Sequence, residues 1–174
     1  MIARSFLRMC VLLFLVFIIS PLSFGAGQMS FTDFRNAQSI GKAAEDFTLK
    51  DLSGADVGMT KYREGKKAVI FFWATWCPHC RVALQKLNQD RAVFEQKGIK
   101  LILVDIGEDR GDVQNYVSKN RIGINVFLDQ DSTVAESYNV IGIPMFFFLN
   151  SQGIIQAADN TMPDNYEEIL NRNN

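Results

Sequence analysis

The chain has 174 residues, of which 48% are hydrophobic and 21% are charged, and its formal net charge is −1 at pH 7. These values fit one globular domain with a short extension. They exclude a nucleic-acid-binding protein that relies on phosphate contacts, because the sequence contains no basic cluster and no Lys/Arg-rich run.

Residues 1–27 predict a secretory signal peptide or an uncleaved signal anchor. Arg4 and Arg8 precede an apolar run over residues 9–19, which only Cys10 interrupts, and small residues follow. The run is short for a membrane span of about 20 residues, which favours cleavage. Because the positive charges come first, the rest of the chain is expected in the periplasm or on the extracytoplasmic face of the membrane, with residues 9–19 as its tether if they are retained.

The next segments predict a linker and the start of a folded domain. Residues 28–42 are weakly patterned and are read as the linker, and residues 43–174 as the domain. Residues 43–49 predict a strand that turns at Ser53-Gly54 and returns near residues 56–59, which makes a β-hairpin. A charged connection over residues 61–67 should follow it.

The strongest pattern lies in the middle of the chain. Residues 68–73 form a continuous apolar run with β-branched and aromatic members, which is typical of a strand buried on both faces. Residues 81–96 predict a helix, whose first turn tolerates Pro78. Cys77 and Cys80 therefore lie where the strand gives way to the helix, and their spacing allows a small disulfide ring.

The predicted position of Cys77 favours a reactive thiolate. Unpaired backbone N–H groups and the positive end of the helix dipole stabilise negative charge at a helix N-terminus, and the thiolate is the form that attacks disulfides. His79 adds a hydrogen-bond donor or a positive charge, which favours the thiolate further and makes the disulfide more oxidising. Cys80, one turn deeper, is the expected resolving thiol.

The cysteine pair could instead have a structural role, as half of a zinc site or as a stabilising disulfide. A structural zinc site needs about four protein ligands, whereas the chain beyond its leader offers two cysteines and a single histidine, so no metal is expected. A purely structural disulfide would add little stability, because the loop that it closes is so short.

The remaining elements alternate between helix and strand. Residues 99–106 predict a second buried strand, which should lie parallel to the first with a right-handed crossover. The next predictions are a helix over 112–120, a strand over 126–128, and a helix over 131–138 that starts at a Ser/Asp cap. Pro144 then precedes a strand predicted over 145–149, and a turn over 150–153 leads into an antiparallel edge strand over 154–157. A closing helix is predicted over 162–171, with Pro163 in its first turn.

These motifs resemble the thioredoxin superfamily, and the surrounding segments resemble its extracytoplasmic TlpA/ResA branch. The resemblance rests on W-C-P-H-C at residues 76–80 after an apolar strand, on I-P at residues 143–144, and on the entry hairpin, where Ala44 replaces the usual proline. It covers about residues 43–170. It implies an α/β thioredoxin-like fold, with a central mixed β-sheet flanked by helices and an N-terminal β-hairpin extension.

The resemblance also implies roles for residues beside the cysteine pair. Pro144 is expected to follow a cis peptide bond and to pack beside the pair, which leaves the backbone of Ile143 free to pair with a substrate peptide. An ordinary trans proline at the start of a strand is the alternative. Trp76 resembles the family tryptophan that shields the disulfide, although packing at a strand end would also account for it.

The dipeptide between the cysteines resembles a different branch of the superfamily from the one that the rest of the domain resembles. Pro78-His79 is the pair found in the strong oxidant DsbA, whereas ResA-like reductants usually carry Glu-Pro or similar residues. DsbA also contains an inserted helical domain, for which residues 81–149 leave no room. The scaffold therefore favours the TlpA/ResA branch, and the dipeptide predicts a raised reduction potential.

By resemblance, the chain is expected to be a thiol:disulfide oxidoreductase in which Cys77 attacks a partner disulfide and Cys80 resolves the mixed disulfide. The favoured role is a reductant for cytochrome c maturation or thiol repair, with protein thiols and disulfides as substrates and a DsbD/CcdA-type membrane donor or acceptor as partner. The cysteine pair carries the electrons, so no metal or organic cofactor is expected.

Three alternative functions compete with this one. They are a DsbA-like oxidant or isomerase, a redox-inert thioredoxin-like module that binds peptides beside Pro144, and a peroxiredoxin-type peroxidase. The peroxidase is disfavoured, because Ala74-Thr75-Trp76 lacks the Pro and Thr/Ser framework that such an enzyme needs before its cysteine.

The sequence departs from its relatives at the proton acceptor of the buried thiol. Many thioredoxins carry an Asp six residues before the first cysteine, where this chain has Phe71. ResA-like reductants carry a Glu six residues after it, where this chain has Ala83. Asp105 and Glu108, which follow the second strand, are candidates by location, with Glu108 expected in a solvated loop.

Overall fold

A seven-stranded mixed β-sheet organises residues 39–172, the part of the chain that this computed structural model describes. Its strands are β1 (Thr48–Asp51), β2 (Asp56–Gly58), β3 (Lys67–Trp73), β4 (Ile99–Ile106), β5 (Val126–Asp129), β6 (Met145–Leu149) and β7 (Ile155–Asp159). The helices are α1 (Met59–Arg63), α2 (Pro78–Gln96), α3 (Arg110–Lys119), α4 (Thr133–Ser137) and α5 (Tyr166–Leu170). The strands lie in the order β2-β1-β5-β4-β3-β6-β7, so the expected α/β fold with a central mixed sheet is confirmed.

The predicted leader, residues 1–27, lies outside the described residues, as do Cys10 and most of the predicted linker. The described end of that linker pairs with the start of β7. Gly41 N donates to Ile155 O at 2.8 Å, and Ile155 N donates to Lys42 O at 2.9 Å. Among residues 39–172, none of the helices combines the length and the apolar character that a membrane span requires.

β3 lies inside the sheet, and its side chains alternate between two buried layers. Val69, Phe71 and Trp73 pack in one cluster with side chains of α2, α3 and α5. The residues between them pack on the opposite face with side chains of α1 and α4. A strand covered on both faces needs apolar side chains at every position, which explains its uninterrupted apolar sequence.

β3 and β4 are parallel neighbours joined by α2, as the sequence predicts. Their register sets Trp73 opposite Asp105, so the carboxyl ends of both strands meet at one edge of the sheet. On the other side, β3 pairs antiparallel with β6, and Phe71 stacks on Phe146 with the ring centroids 4.4 Å apart. This aromatic pair occupies the place where many thioredoxins carry a buried Asp.

The N-terminal hairpin is present, although its first strand begins at Thr48 rather than at residue 43. β1 pairs antiparallel with both β2 and β5. The Asp51 carboxylate accepts hydrogen bonds from the backbone N–H groups of Ser53 and Ala55, which closes the turn. The Ser53 hydroxyl donates a further hydrogen bond to this carboxylate and contributes most to lowering the pKa of Asp51. The backbone hydrogen bonds lower it further.

Two predicted segments differ from the structure. The connection predicted over residues 61–67 contains the end of α1, whose Arg63 is buried and donates hydrogen bonds to the carbonyl oxygens of Lys66 and Ser151. The closing helix is shorter than predicted, because α5 begins at Tyr166. Pro163 precedes α5, and its carbonyl oxygen accepts a hydrogen bond from Tyr166 N.

The predicted Ser/Asp cap of α4 is present in part, because the Asp131 carboxylate accepts a hydrogen bond from Thr133 N at 3.2 Å. Ser132 occupies the cap position, but its side chain makes no capping hydrogen bond. Instead, the buried carboxylate of Asp129, at the end of β5, accepts hydrogen bonds from Val134 N and Ala135 N. The helix is therefore anchored to the sheet by a residue outside it.

A substitution in the turn between β6 and β7 tests how tightly this end of the sheet is packed. Gly153 has φ +82°, and a Cβ atom on it would lie 3.0 Å from Nη2 of Arg63. We expect Gly153→Ala to lower the free energy of unfolding by about 1–2 kcal/mol, because both the backbone and the guanidinium would have to shift. Urea denaturation measures this change. Gly98→Ala is the control, since Gly98 also has a positive φ, of +66°, but no atom outside its chain neighbours lies within 4 Å of the added methyl group. An equal loss in that variant would contradict the role of the contact with Arg63.

Candidate active site

The cysteine pair lies where β3 ends and α2 begins. Cys77 is the N-cap residue of α2, and Pro78 is the first helical residue. The Cys77 Sγ atom accepts a hydrogen bond from Cys80 N at 3.2 Å, and a disulfide joins the two cysteines. Backbone N–H groups at a helix N-terminus stabilise negative charge, so this position favours a thiolate on Cys77 after reduction.

The two sulfur-bearing residues differ in their access to solvent. Cys77 is 4% exposed, whereas Cys80 is fully buried in the cluster that contains Trp73. Pro78 and His79 are exposed in the first turn of α2. A partner protein can therefore reach the pair only from the side of Cys77.

A cis peptide bond lies beside the pair, as the resemblance predicts. The bond joins Ile143 to Pro144, directly before β6. The carbonyl oxygen of Ile143 is 3.8 Å from Cys77 Sγ, and the carbonyl oxygen of Pro144 accepts a hydrogen bond from Asn160 Nδ2. Distant parts of the chain thus meet at Cys77 Sγ.

An apolar cleft leads to this meeting point. Trp76, Ile141 and Ile143 are among the residues that line it. Trp76 is 67% exposed and Ile141 is 60% exposed, which is unusual for large apolar side chains. Such exposure does not fit the packing role considered for Trp76, and it gives the cleft a rim suited to an apolar segment of a partner.

Glu108 lies in the loop between β4 and α3, as expected, but it is only half-exposed because it is bound at the active site. Its carboxylate accepts hydrogen bonds from the backbone N–H and the hydroxyl of Thr75, two residues before Cys77. The contact arises because β3 and β4 are parallel and end at the same edge of the sheet. Glu108 therefore ties the loop that carries Trp76 to the end of β4.

Asp105 is a buried acid on the same edge of the sheet. It is 1% exposed, and within the described chain neither of its carboxylate oxygens has a hydrogen-bond partner. Burial raises the pKa of Asp105 to about 9, and the nearby carboxylates of Glu108 and Asp129 add to this effect. Asp105 is therefore protonated at neutral pH. Within residues 39–172, no group of three or more His, Cys, Asp or Glu side chains is placed to hold a metal ion.

The sequence and structure are similar to those of known proteins. Residues 40–158 match the model of the AhpC/TSA family. The thiol-disulfide oxidoreductase ResA of Geobacillus thermodenitrificans is 27% identical over 153 residues, which cover 88% of this chain and 85% of the relative. ResA of Bacillus subtilis is 27% identical over 164 residues, which cover 92% of this chain and 88% of the relative.

Two solved structures show the same fold. The thioredoxin domain of a thiol-disulfide oxidoreductase from Bacteroides vulgatus has a TM-score of 0.66 and 26% identity, with 75% of this chain and 94% of that one covered. A secreted Mycobacterium tuberculosis disulfide oxidoreductase, homologous to E. coli DsbE, has a TM-score of 0.60 and 29% identity, with 71% and 91% covered. The chain therefore belongs to the AhpC/TSA family, within the thioredoxin superfamily, as a TlpA/ResA-like thiol:disulfide oxidoreductase.

Proposed function

We propose that the protein reduces disulfides of partner proteins outside the cytoplasm, with Cys77 as the nucleophile and Cys80 as the resolving thiol. The observation that carries this proposal is the position of Cys77. Its Sγ atom lies at the N-terminus of a 19-residue helix, accepts the N–H of Cys80, and is 3.8 Å from the carbonyl oxygen before the cis proline. This arrangement favours the thiolate and holds it next to Ile143, which lines the cleft.

The proposed exchange has two steps. In the reduced protein, the Cys77 thiolate attacks one sulfur of a partner disulfide, which forms a mixed disulfide and releases the other partner sulfur as a thiolate. Cys80 then loses its proton and attacks Cys77 Sγ, which releases the second partner thiolate. The partner gains two electrons, and the Cys77–Cys80 disulfide is regenerated.

The cleft beside the cis proline is the proposed binding site for the partner segment. The backbone of Ile143 would pair with an extended peptide, while the exposed side chains of Trp76 and Ile141 would contact its apolar residues. Pro144 would hold this backbone in position. Main-chain pairing gives affinity without demanding one sequence, so several partner proteins are expected.

The direction of electron flow is proposed from the relatives and from the leader. The relatives named ResA support a reductant, for which cytochrome c maturation or thiol repair would be the task. A membrane protein of the DsbD/CcdA type would restore the reduced pair. Residues 1–27 would direct the chain out of the cytoplasm, residues 28–42 would link them to the domain over residues 43–174, and the cysteine pair would need no metal or organic cofactor.

One observation favours the second candidate, a DsbA-like oxidant or isomerase. His79 is exposed in the first turn of α2, where a positive charge or a hydrogen-bond donor would stabilise the Cys77 thiolate. A stabilised thiolate makes the disulfide form more oxidising. The scaffold and the dipeptide thus support opposite directions, and the reduction potential decides between them.

The reduction potential of the Cys77–Cys80 pair is expected to lie nearer to that of thioredoxin, about −270 mV, than to that of DsbA, about −120 mV. The measurement equilibrates a Cys10→Ser variant in glutathione or dithiothreitol buffers and follows thiol alkylation. A value near the DsbA end would contradict the reductant. We also expect His79→Ala to lower the potential by about 30 mV, equivalent to a tenfold change in the exchange equilibrium; an unchanged value would show that His79 does not tune the pair.

A further inference from the structure

The proposed reaction requires a proton acceptor for Cys80, and the customary positions do not supply one. Cys80 is fully buried, so its thiol cannot transfer a proton directly to bulk solvent. Phe71 is fully buried and stacked on Phe146, and Ala83 packs against the same cluster. Neither side chain can accept a proton, so the group has to come from another element.

A buried polar pair lies on the face of the sheet that carries Cys80. Trp73 and Asp105 are opposite each other on adjacent strands. Trp73 packs in the same cluster as Cys80, and Asp105 lies on the same face of β4 as Leu101 and Leu103, which belong to that cluster. Within residues 39–172, Nε1 of Trp73 and both oxygens of Asp105 have no hydrogen-bond partner. A buried donor and acceptors without partners are costly, and a buried water that bridges them would remove that cost.

We propose that Asp105 is the proton-transfer residue for Cys80, acting through one water that the indole N–H of Trp73 holds in place. This inference rests on the proposed roles of Cys77 and Cys80. It assigns to the end of β4 the task that other thioredoxin-like proteins give to a residue of the neighbouring strand or of the active-site helix.

Asp105 gives up a proton when the cysteine pair is reduced and takes it back when the pair is oxidised. When a donor thiolate reduces the pair, it forms a bond to Cys77 Sγ, the Cys77–Cys80 bond breaks, and the departing Cys80 thiolate takes the proton of the Asp105 carboxyl through the water. When Cys80 later resolves a mixed disulfide, the Asp105 carboxylate takes the proton back as the Cys80 thiolate attacks Cys77 Sγ. Asp105 thus cycles between its acid and carboxylate forms, and no further reactant is needed.

Of the neighbouring acids, Glu108 lies close enough to Asp105 to raise its pKa, but Glu108 and Asp129 both already accept hydrogen bonds from backbone N–H groups. Glu108 accepts both hydrogen bonds from Thr75, and Asp129 accepts the two N–H groups at the start of α4. The raised pKa of Asp105 keeps a proton available at neutral pH. The other titratable group beside Trp73 is Tyr116 of α3, whose ring centroid is 5.8 Å from that of Trp73. Burial raises the pKa of Tyr116, so it stays neutral and does not compete for the proton.

The test compares the rate at which dithiothreitol reduces the oxidised full chain with the same rate in Asp105→Asn, both in a Cys10→Ser background. Tryptophan fluorescence follows the reaction in a stopped-flow instrument between pH 6 and pH 10. We expect the wild-type rate to exceed the variant rate by about 100-fold or more at pH 7, because general acid catalysis typically contributes about 10²- to 10⁴-fold. The ratio should fall toward one above about pH 9, where the Asp105 carboxyl of the wild type has ionised. A ratio that does not change with pH would overturn the proposal.

Two controls separate this proposal from the function on which it rests. Asp112→Asn removes an exposed carboxylate from the first turn of α3 and should leave the rate unchanged at every pH. If dithiothreitol reduces the oxidised wild type no faster than it reduces a linear model disulfide, the proposed function itself is contradicted. An active wild type with a constant rate ratio would contradict only the role of Asp105.

A second measurement uses the unaltered side chain, in case Asp105→Asn does not fold. The ¹³C chemical shift of the Asp105 carboxyl reports its titration in the oxidised and reduced forms of the full chain. Because the Cys80 thiol exists only in the reduced form, the midpoint should differ between the two forms. Identical midpoints would show that Asp105 is not linked to Cys80 and would overturn the proposal.

Discussion

Replacing Cys77 by serine is expected to reduce thiol:disulfide exchange to its uncatalysed rate, whereas replacing Cys80 by alanine should stop the reaction halfway. A serine hydroxyl does not form the nucleophile at neutral pH, so Cys77→Ser cannot attack a partner disulfide. Cys80→Ala keeps the attacking thiolate at the start of α2 but lacks the resolving thiol. Mixed disulfides with partners should therefore accumulate in this variant.

Insulin reduction in the presence of dithiothreitol measures the first effect. Non-reducing gels and intact mass measure the second, as an increase equal to the mass of the partner. Cys10→Ser is the matched control, because it removes the third cysteine of the chain and should keep full activity. Full activity in Cys77→Ser, or mixed disulfides in Cys77→Ser rather than in Cys80→Ala, would contradict the assigned roles.

The second large effect is a dependence of stability on pH that comes from one buried acid. In the unfolded chain, Asp105 ionises near its ordinary pKa of 3.8, whereas in the folded protein its pKa is about 9. Between these values only the unfolded state loses the proton, so rising pH favours unfolding. The contribution of Asp105 is therefore most favourable below about pH 4 and is lost progressively up to about pH 9. The slope is at most about 1.4 kcal/mol per pH unit.

Asp105→Asn removes this slope without changing the shape of the side chain. We expect the stability of the oxidised variant relative to wild type to increase by several kcal/mol between pH 4 and pH 9, as measured by guanidinium denaturation. Any cost of burying the amide adds a constant that does not vary with pH. Asp112→Asn should show a flat difference over the same range. A flat difference for Asp105→Asn as well would mean that Asp105 is already ionised in the folded protein.

The central strands could be predicted because their sequences are governed by local rules. A strand covered on both faces shows a run of apolar residues, and the sequence has such runs at residues 68–73 and at residues 101–104 within the strand predicted over 99–106. α2 was also predictable, since Pro78 marks its first turn and Gly98, with φ +66°, follows its end. The cis bond before Pro144 came from the resemblance, because the residues alone fit a trans proline equally well.

The elements that were misjudged depend on contacts between distant residues. α4 starts where Asp129 of β5 supplies the cap, and nothing within residues 131–138 encodes that contact. Glu108 does lie in a loop, but its hydrogen bonds to Thr75 were missed because they depend on the register between β3 and β4. The burial of Asp105 has the same origin. Its position after a strand was visible in the sequence, but its loss of solvent and of hydrogen-bond partners was not.

The unequal exposure of the two sulfur-bearing residues has a kinetic consequence. Cys77 is 4% exposed and Cys80 is fully buried, so the electron donor and the substrate protein must both react at the same atom. They cannot occupy that position together, and one partner has to leave before the other arrives. We therefore expect ping-pong kinetics, with parallel lines in double-reciprocal plots, in which an excess of either partner in its unreactive redox form inhibits the other competitively. The rate in the cell then depends on how quickly the two partners bind to and leave this one docking face.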